Sequence, residues 1–261
     1  MVNLMAKKIL LIVEGGTDEP AFFKYLFNTC YRRGQYEFFS YNTNVHVLAQ
    51  CLYEDYPDFD TTEIEIKSVL AVKEKDLLRK KILLDTYTDV YLIFDFDPQH
   101  NDPHFDLVKR MLKYFNDPTD HGKLYINYPM MQSYKHFSKL PDPSFVERSF
   151  NFTNVNVSSY KELVGKESGY TDLKKYDYKI FYSLAVHHLK KLNYILKQRF
   201  TVPAENEYEN IDFVDVYAYE EDLFTKSRLV AVLNTCIFVL CDFAPNKFFR
   251  FIESRATELY I

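Results

Sequence analysis

The sequence predicts an α/β fold in which a mostly parallel sheet is flanked by helices and is followed by a mainly helical C-terminal region. Two continuous apolar runs of strand length, Lys8–Val13 and Val90–Phe94, are typical of strands that are buried on both faces. Each run is followed by apolar residues at helical spacing, and this alternation indicates parallel strands joined by helical crossovers. The pattern changes near residue 140. We therefore expect an α/β domain over 1–140 and a mainly helical region over 141–261.

The other elements are predicted from the same periodicities. After the first strand, Thr17 is a candidate helix N-cap, followed by Asp18 and Glu19 in the first turn. Apolar and charged residues alternate over Ile64–Val69, and this alternation predicts the second strand. Further predicted elements are helices over Lys73–Leu84, Phe105–Phe115, Asp172–Phe200, Leu223–Cys241 and Asn246–Leu259, and a strand over Lys123–Asn127.

Composition excludes several classes of protein. A hydrophobic content of 47% with 26% charged residues excludes global disorder, and only 6 Gly and 10 Pro among 261 residues exclude collagen-like and low-complexity chains. The net charge of −5 is unevenly distributed, because eight acids and no Lys or Arg lie between Thr201 and Asp222. The rest of the chain therefore carries 32 − 29 = +3, and a nucleic-acid substrate is not excluded.

Cysteine usage and apolar segments predict the compartment. The four cysteines form no C-x-x-C pair and have no spacing typical of zinc ligands. The apolar run Leu229–Cys241 is too short to span a bilayer, and Met1–Lys8 lacks the apolar core of a signal peptide. We therefore expect a soluble, reduced, cytoplasmic protein that has no membrane partner.

Three carboxylates follow predicted strands. Glu14 comes directly after the first strand, and Asp95 and Asp97 come after Val90–Phe94. Ligands of parallel sheets bind outside the carboxyl ends of strands, and hard cations such as Mg²⁺ prefer carboxylate oxygens. Two residues apart on an extended segment, Asp95 and Asp97 should point to the same side. The sequence therefore predicts a metal site here, although ordinary solvated strand-end acids remain the alternative.

The glycine pair beside Glu14 supports the same prediction. Gly15 and Gly16 are two of only six glycines in the chain. A backbone that needs glycine either adopts a positive φ or allows a ligand to approach closely. The pair therefore predicts one of these two features next to Glu14.

The segments Ile9–Pro20 (ILLIVEGGTDEP) and Val90–Pro98 (VYLIFDFDP), in this order, resemble the Toprim domain. This domain is shared by topoisomerases, primases and OLD-family nucleases, and its pattern is a glutamate after a first buried strand and Asp-x-Asp after a later one. The resemblance is greater to the small Toprim effectors of phage-defence systems of the PARIS type and to related abortive-infection nucleases. It covers roughly the first 140 residues, about half of the chain.

The resemblance implies a metal-dependent nuclease that hydrolyses phosphodiester bonds of DNA or RNA. It implies that Glu14 is a metal ligand or the general acid/base, and that Asp95 and Asp97 bind Mg²⁺ or Mn²⁺. Asp18, four residues after Glu14, matches a second metal-binding acid of OLD-type sequences. The implied role is the toxic effector of an antiviral defence system that works with a partner ATPase. The resemblance also allows a homo-oligomer.

One position departs from the family pattern. Relatives tend to have Pro-x-x-Glu after the strand that corresponds to Lys123–Asn127, whereas this chain reads Pro129-Met130-Met131-Gln132. Because a neutral amide binds cations more weakly than a carboxylate, Gln132 favours the alternative of a catalytically weak Toprim module that mainly binds a partner protein or nucleic acid. P-loop chemistry has no support, since no G-x-x-x-x-G-K-[ST] sequence is present.

Other polar residues have structural explanations. Asp102 before Pro103 is better explained as a helix N-cap than as a ligand in a cluster with His100 and His104. Adjacent helical residues diverge by about 100°, so His187 and His188 are expected to be one surface and one core group. A solvated basic face is expected, in preference to phosphate contacts, from Lys190, Lys191, Lys197 and Arg199.

The acidic segment Thr201–Asp222 has two interpretations. Its uncompensated carboxylates should stay hydrated, and Pro203 weakens regular structure at its start. It is then a solvated loop that joins two helices. Alternatively, it is a docking segment whose negative field binds a basic partner or shields the metal site, an effect that salt would weaken.

Overall fold

Helices and strands alternate through the first half of the chain. The computed structural model describes residues 7–31 and 35–255, together with residues 257 and 259. The elements of the first half are β1 (Lys8–Val13), α1 (Asp18–Cys30), β2 (Gln35–Ser40), α2 (Val45–Asp55), α3 (Ile66–Lys73), α4 (Leu77–Leu84), β3 (Asp89–Asp95), α5 (Phe105–Tyr114), β4 (Asn116–Asp117) and β5 (Gly122–Asn127).

The second half is mainly helical, as predicted. Short 3₁₀ helices separate several of its elements, at Met131–Lys135, Pro143–Glu147, Leu173–Lys175 and Cys236–Phe238. The regular elements are β6 (Ser149–Asn151), α6 (Val157–Glu167), α7 (Tyr178–Lys197), α8 (Glu205–Glu209), α9 (Phe213–Ser227), β7 (Leu229–Ala231), α10 (Val239–Phe243) and α11 (Pro245–Arg255).

The first five strands form one mostly parallel sheet in the order β2-β1-β3-β5-β4. Strand β1 pairs in parallel with both β2 and β3, and Ile9 to Val13 are at most 1% exposed. A continuous apolar run is what a parallel strand buried on both faces requires, and this explains why KILLIV lies inside the sheet. The predicted mostly parallel sheet flanked by helices is confirmed. Strand β4 differs in that it pairs antiparallel with β5 at the sheet edge.

The chain divides into two compact units. The first consists of Met1–Phe94 and His100–Tyr125, and the second of Asp95–Gln99 and Ile126–Ile261. In the second unit, the Phe96 amide donates to the Asn127 carbonyl over 3.1 Å, and Tyr128 pairs with Leu233. The predicted domain boundary near residue 140 stays a prediction, and residues 126–140 lie with the C-terminal part in these units.

The predicted second strand at Ile64–Val69 is wrong. Residues 66–69 form the start of α3, and the second strand of the chain is β2, which the sequence pattern did not predict. The buried residues Ile66, Val69 and Leu70 have spacings of three and four, so the short alternation before them also fits a helix.

The predicted helix over Lys73–Leu84 is also corrected. Lys73 ends α3, and α4 begins only at Leu77. Asp76 caps this helix, since its carboxylate accepts from the amides of Leu78 at 2.8 Å and Arg79 at 3.0 Å. The predicted elements β1, β3, α5 and β5 are confirmed to within one or two residues.

Two predictions in the C-terminal part are wrong. The segment Leu223–Cys241 is not one helix, because α9 ends at Ser227 and Arg228 takes a left-handed conformation with a φ of 59°. Strand β7 then pairs antiparallel with β6. The acidic segment Thr201–Asp222 is not a loop, since it contains α8 and much of α9.

The remaining helices agree better with the sequence. Helix α7 lies inside the predicted Asp172–Phe200, and α11 lies at the predicted last helix. Within the predicted Asn246–Leu259, residues 256 and 258 lie outside the described residues. Among the helices that the structure describes, none is both long enough and apolar enough to cross a membrane.

Two glycines of the second unit should respond to alanine in opposite ways. Gly165 lies inside α6, and an added Cβ would meet no atom within 4 Å, so Gly165→Ala should stabilise the fold by roughly 0.5–1 kcal/mol. At Gly169 the same Cβ would lie 2.4 Å from the Ser138 carbonyl oxygen, so Gly169→Ala should destabilise it by roughly 1–3 kcal/mol. Urea denaturation of both variants checks this; equal effects would contradict it.

Candidate functional site

Backbone hydrogen bonds fix Glu14 at the carboxyl end of β1. Its amide donates to the Ile93 carbonyl of β3 over 3.1 Å, and its carbonyl accepts from the Asn42 amide over 2.9 Å. Asn42, just beyond β2, has a φ of 62°. Such backbone conformations cost energy and are concentrated at functional sites. The half-buried Glu14 is therefore held at the sheet edge where parallel strands bind ligands.

The glycine pair after Glu14 allows a close approach, but by a side chain of the protein and not by the predicted ligand. A Cβ added to Gly15 would lie only 2.9 Å from Oε2 of Glu19, and neither Gly15 nor Gly16 has a φ in the positive range. The approaching group belongs to the protein itself. The Glu19 carboxylate, 7% exposed, lies against the backbone that follows Glu14.

Helix α1 begins at Asp18 with Thr17 as its N-cap residue, as predicted, although the Thr17 side chain makes no capping hydrogen bond. Asp18 is exposed, whereas Glu19 is buried. Asp18 is the predicted second acid, and Glu19 was not predicted to belong to the site. Both positions are in the first helical turn, where a carboxylate complements the helix dipole. Their sequence order alone does not indicate which one is buried.

Asp95 and Asp97 belong to the second unit. Asp95 is the last residue of β3, and its Oδ1 lies 3.4 Å from Nδ2 of Asn127. Asp97 has a φ of 40°, so the chain has left the extended conformation there. The strand alternation that was expected to direct both side chains to one side therefore does not extend to Asp97. Both carboxylates are half-buried, which leaves part of each in contact with solvent.

Asn127 is the polar residue of this region that sequence reasoning missed. It is fully buried at the end of β5, and its Oδ1 accepts from the Cys236 amide over 3.2 Å. Because the amide oxygen is used in this way, the Nδ2 group faces Asp95 as a donor. Its position at the carboxyl end of a strand, where Asp95 also lies, is the signal that could have identified it.

Gln132 is buried in the 3₁₀ helix Met131–Lys135 of the second unit and is 4% exposed. A buried neutral amide costs less desolvation free energy than a buried carboxylate. The residue that departs from the Toprim pattern is therefore of a type that suits its surroundings.

Three histidines of the first unit lie close together. The His104 amide donates to Nδ1 of His46 over 3.2 Å, and the His46 and His100 rings stack with centroids 5.5 Å apart. The expected N-cap at Asp102 is wrong, because His104 precedes α5 and the Asp102 carbonyl contacts Nδ1 of His100 at 2.9 Å. The helix begins at Phe105, two residues after Pro103.

Two further polar predictions are corrected in the second unit. His187 and His188 are both buried, and each imidazole accepts a backbone amide proton over 3.0 Å, from Asp142 and Asn234 respectively. Lys191 is not on a solvated face, since it is 1% exposed. Its ammonium donates to the Phe145 carbonyl over 3.2 Å and to that of Arg148. Helix α7 is buried on most of its circumference, which helical periodicity does not reveal.

The arrangement of the carboxylates bears on metal binding. Among the residues described, no group of three or more His, Cys, Asp or Glu side chains is arranged to hold a metal ion. Mg²⁺ is, however, often bound through one or two carboxylates together with waters and substrate phosphate. The half-buried Asp95, oriented by Asn127, and Asp97 after it fit that kind of site rather than a cage built by protein alone.

The fold and these strand-end residues define an α/β protein with a mostly parallel sheet and carboxylates at its carboxyl edge. Comparison with known proteins adds no closer assignment: no protein-family model, curated protein or solved structure matches the chain.

Proposed function

We propose that this protein is a Toprim-type, Mg²⁺- or Mn²⁺-dependent nuclease that hydrolyses phosphodiester bonds of DNA or RNA. One observation carries the proposal: β1 and β3 are parallel neighbours, and the Glu14 amide bonds to Ile93, two residues before Asp95. Glu14 therefore follows β1, and Asp95 ends β3, the strand that pairs with β1. The order of these acids is the one that the Toprim resemblance requires.

Each side chain has a role in this proposal. Asp95 and Asp97 would hold the cation, which when bound polarises the scissile phosphate and lowers the pKa of water. Glu14 would accept the proton of the attacking water or complete the cation's ligands. Asn127 would hold Asp95 in orientation, and the exposed Asp18 would be a further metal ligand, as the Toprim resemblance implies.

The biological setting is part of the same proposal. The Toprim resemblance supports the role of a toxic effector in a phage-defence system that works with a partner ATPase. An adjacent gene that encodes an ATPase with an ABC-type head would support this setting. Co-purification of the two proteins would test it directly.

Glu14→Gln is expected to lower cation-dependent cleavage at least about 100-fold, because the isosteric amide neither accepts a proton nor binds a cation strongly. The assay uses single- and double-stranded DNA and RNA with Mg²⁺ or Mn²⁺. The matched control is Glu37→Gln, which changes an exposed carboxylate on β2 of the same sheet and should cleave at the wild-type rate. A Glu14→Gln variant that is fully active would refute the assignment.

The second candidate function is a catalytically weak module that binds a partner protein or nucleic acid. The buried amide of Gln132 favours it, since the family pattern has a carboxylate there. Calorimetric titration separates the two candidates. Binding of Mn²⁺ or Mg²⁺ that Asp95→Asn abolishes supports the nuclease, whereas nucleic-acid binding without cation binding at millimolar concentration supports the module.

A further inference from the structure

A cysteine and a lysine meet in the first unit, outside the candidate site. Cys51 lies on α2, and Lys73 is the last residue of α3. The Lys73 Nζ is 2.6 Å from Sγ of Cys51 and 2.5 Å from Oδ2 of Asp55. The Tyr41 hydroxyl also hydrogen-bonds to Cys51. A thiol, an amine, a carboxylate and a phenol thus form one cluster.

The distance between nitrogen and sulfur is unusually short. Ordinary N–H···O hydrogen bonds span about 2.7–3.2 Å, and sulfur is larger than oxygen, so an N–H···S contact should be longer. The observed 2.6 Å is still too long for a direct nitrogen–sulfur bond. The contact therefore holds the two atoms close enough for a single oxygen atom to join them.

The surroundings of Cys51 suit oxidation. Reactive cysteines lie in electropositive, partly exposed positions, and Cys51 is half-buried beside the Lys73 ammonium, whose side chain is 43% exposed. Hydrogen bonds to Asp55 and Cys51 hold the pKa of Lys73 above its usual range. Lys73 is therefore an ammonium, and Asp55, whose Oδ2 it contacts, lies where it can accept the proton that the amine must lose before it reacts. Because Cys51 is only half-buried, a small oxidant can reach its sulfur.

We propose that Cys51 and Lys73 form a reversible oxidation site that takes up one oxygen atom from hydrogen peroxide as an N–O–S bridge. A first peroxide converts the thiol to a sulfenic acid, with formation of an S–O bond, cleavage of the O–O bond and release of water. Joining this oxygen to Nζ removes two electrons and two protons, which reduce a second peroxide to two waters. The sum is thiol, amine and two peroxides giving the bridge and three waters.

The bridge should also be reducible. Two molecules of a dithiol such as dithiothreitol supply four electrons and four protons. They restore the thiol and the amine and release the oxygen as water. The bridge connects α2 to α3 and closes the loop between residues 51 and 73, so the oxidised chain should melt several degrees higher than the reduced chain.

The full chain treated with hydrogen peroxide should gain the mass of one oxygen less two hydrogens. Peptide mapping should find the peptides that contain Cys51 and Lys73 joined, and dithiothreitol should separate them. Lys73→Arg keeps the positive charge but lacks the primary amine, so it should instead gain whole oxygen atoms at Cys51.

Cys51→Ser should lose the joined peptides, and Cys30→Ser, which changes the other half-buried cysteine, should keep them. The proposal is overturned if the wild-type chain and Lys73→Arg give the same masses. It is also overturned if Cys51 and Cys30 simply gain oxygens at equal rates with no joined peptide.

Discussion

Glu220→Gln is expected to be more stable than the wild-type chain at pH 8, with a smaller difference at pH 5. Glu220 is fully buried on α9, where its Oε2 accepts from the Ala231 amide over 2.9 Å and its Oε1 has no hydrogen-bond partner. Burial raises the pKa of Glu220 from 4.5 to about 8. Glutamine has nearly the same shape as the protonated side chain, so it fits the site and carries no titratable group.

The direction in which the stability changes with pH follows from proton binding. Between pH 4.5 and about 8 the folded wild-type chain holds one proton at Glu220 that the unfolded chain has released. The free energy of unfolding of the wild-type chain therefore falls as the pH rises, by roughly 1 kcal/mol per pH unit. Glu220→Gln lacks this loss, so its relative stability should increase through the window and level off above it.

Urea denaturation at a series of pH values measures this difference. The matched control is Glu209→Gln, which changes an exposed carboxylate of α8 and should follow the wild-type profile. A Glu220→Gln profile parallel to that of the wild-type chain would show that Glu220 titrates normally in the folded protein.

Lys191 should make the stability of the wild-type chain rise again with pH above about pH 7. Burial lowers the pKa of Lys191 from 10.5 to about 7. Between these values the unfolded chain binds one proton more than the folded chain, so stability should rise with pH. Together with Glu220, whose charge acts on Lys191, this predicts a stability minimum near pH 7–8.

The burial of Glu220 shows why the acidic segment was misread. Its high density of carboxylates predicted a hydrated segment, but α9 buries Val216, Tyr217, Glu220 and Phe224. These residues are spaced by one, three and four, so Glu220 lies on the apolar stripe of an amphipathic helix. Periodicity, rather than charge density, could have identified it.

The sheet was predictable where strands are buried on both faces. Strands β1 and β3 contain apolar runs that end at Glu14-Gly15 and at Asp95, so their C-terminal bounds are marked in the sequence. Strand β2 (QYEFFS) has a mixed composition and exposed positions. Nothing local distinguishes it from a loop or from the short alternation at Ile64, because pairing with β1 is what stabilises it.

The sequence predicts which carboxylates of the candidate site lie at the ends of strands, but it does not predict their contacts. The sequence pattern predicts that Glu14 and Asp95 lie at the ends of parallel strands, but the pairing of β1 with β3 is known only from the structure. The burial of Glu19 against Gly15 and the contact of Asn127 with Asp95 depend on tertiary packing and on side-chain conformation. Cation binding and nuclease activity stay predictions.

Phe96→Ala is expected to destabilise the second unit by about 3–5 kcal/mol. Phe96 is fully buried, and its ring centroid lies 5.2 Å from that of Tyr128 and 5.3 Å from that of Tyr217. Alanine would leave a cavity beside two tyrosines that the surrounding helices cannot fill without moving. Phe96 also lies between Asp95 and Asp97, so the loss of its packing removes the anchor of both carboxylates.

Equilibrium unfolding in urea measures the effect, with Leu84→Ala as the control. Leu84 is 64% exposed on α4, so its truncation should change the free energy of unfolding by no more than about 0.5 kcal/mol. Phe96→Leu keeps an apolar side chain in the site and should lose much less stability than Phe96→Ala. If Phe96→Leu stays folded and still loses cation-dependent cleavage, Phe96 positions Asp95 and Asp97. Equal stability of Phe96→Ala, Phe96→Leu and Leu84→Ala would mean that the Phe96 ring is not buried in solution.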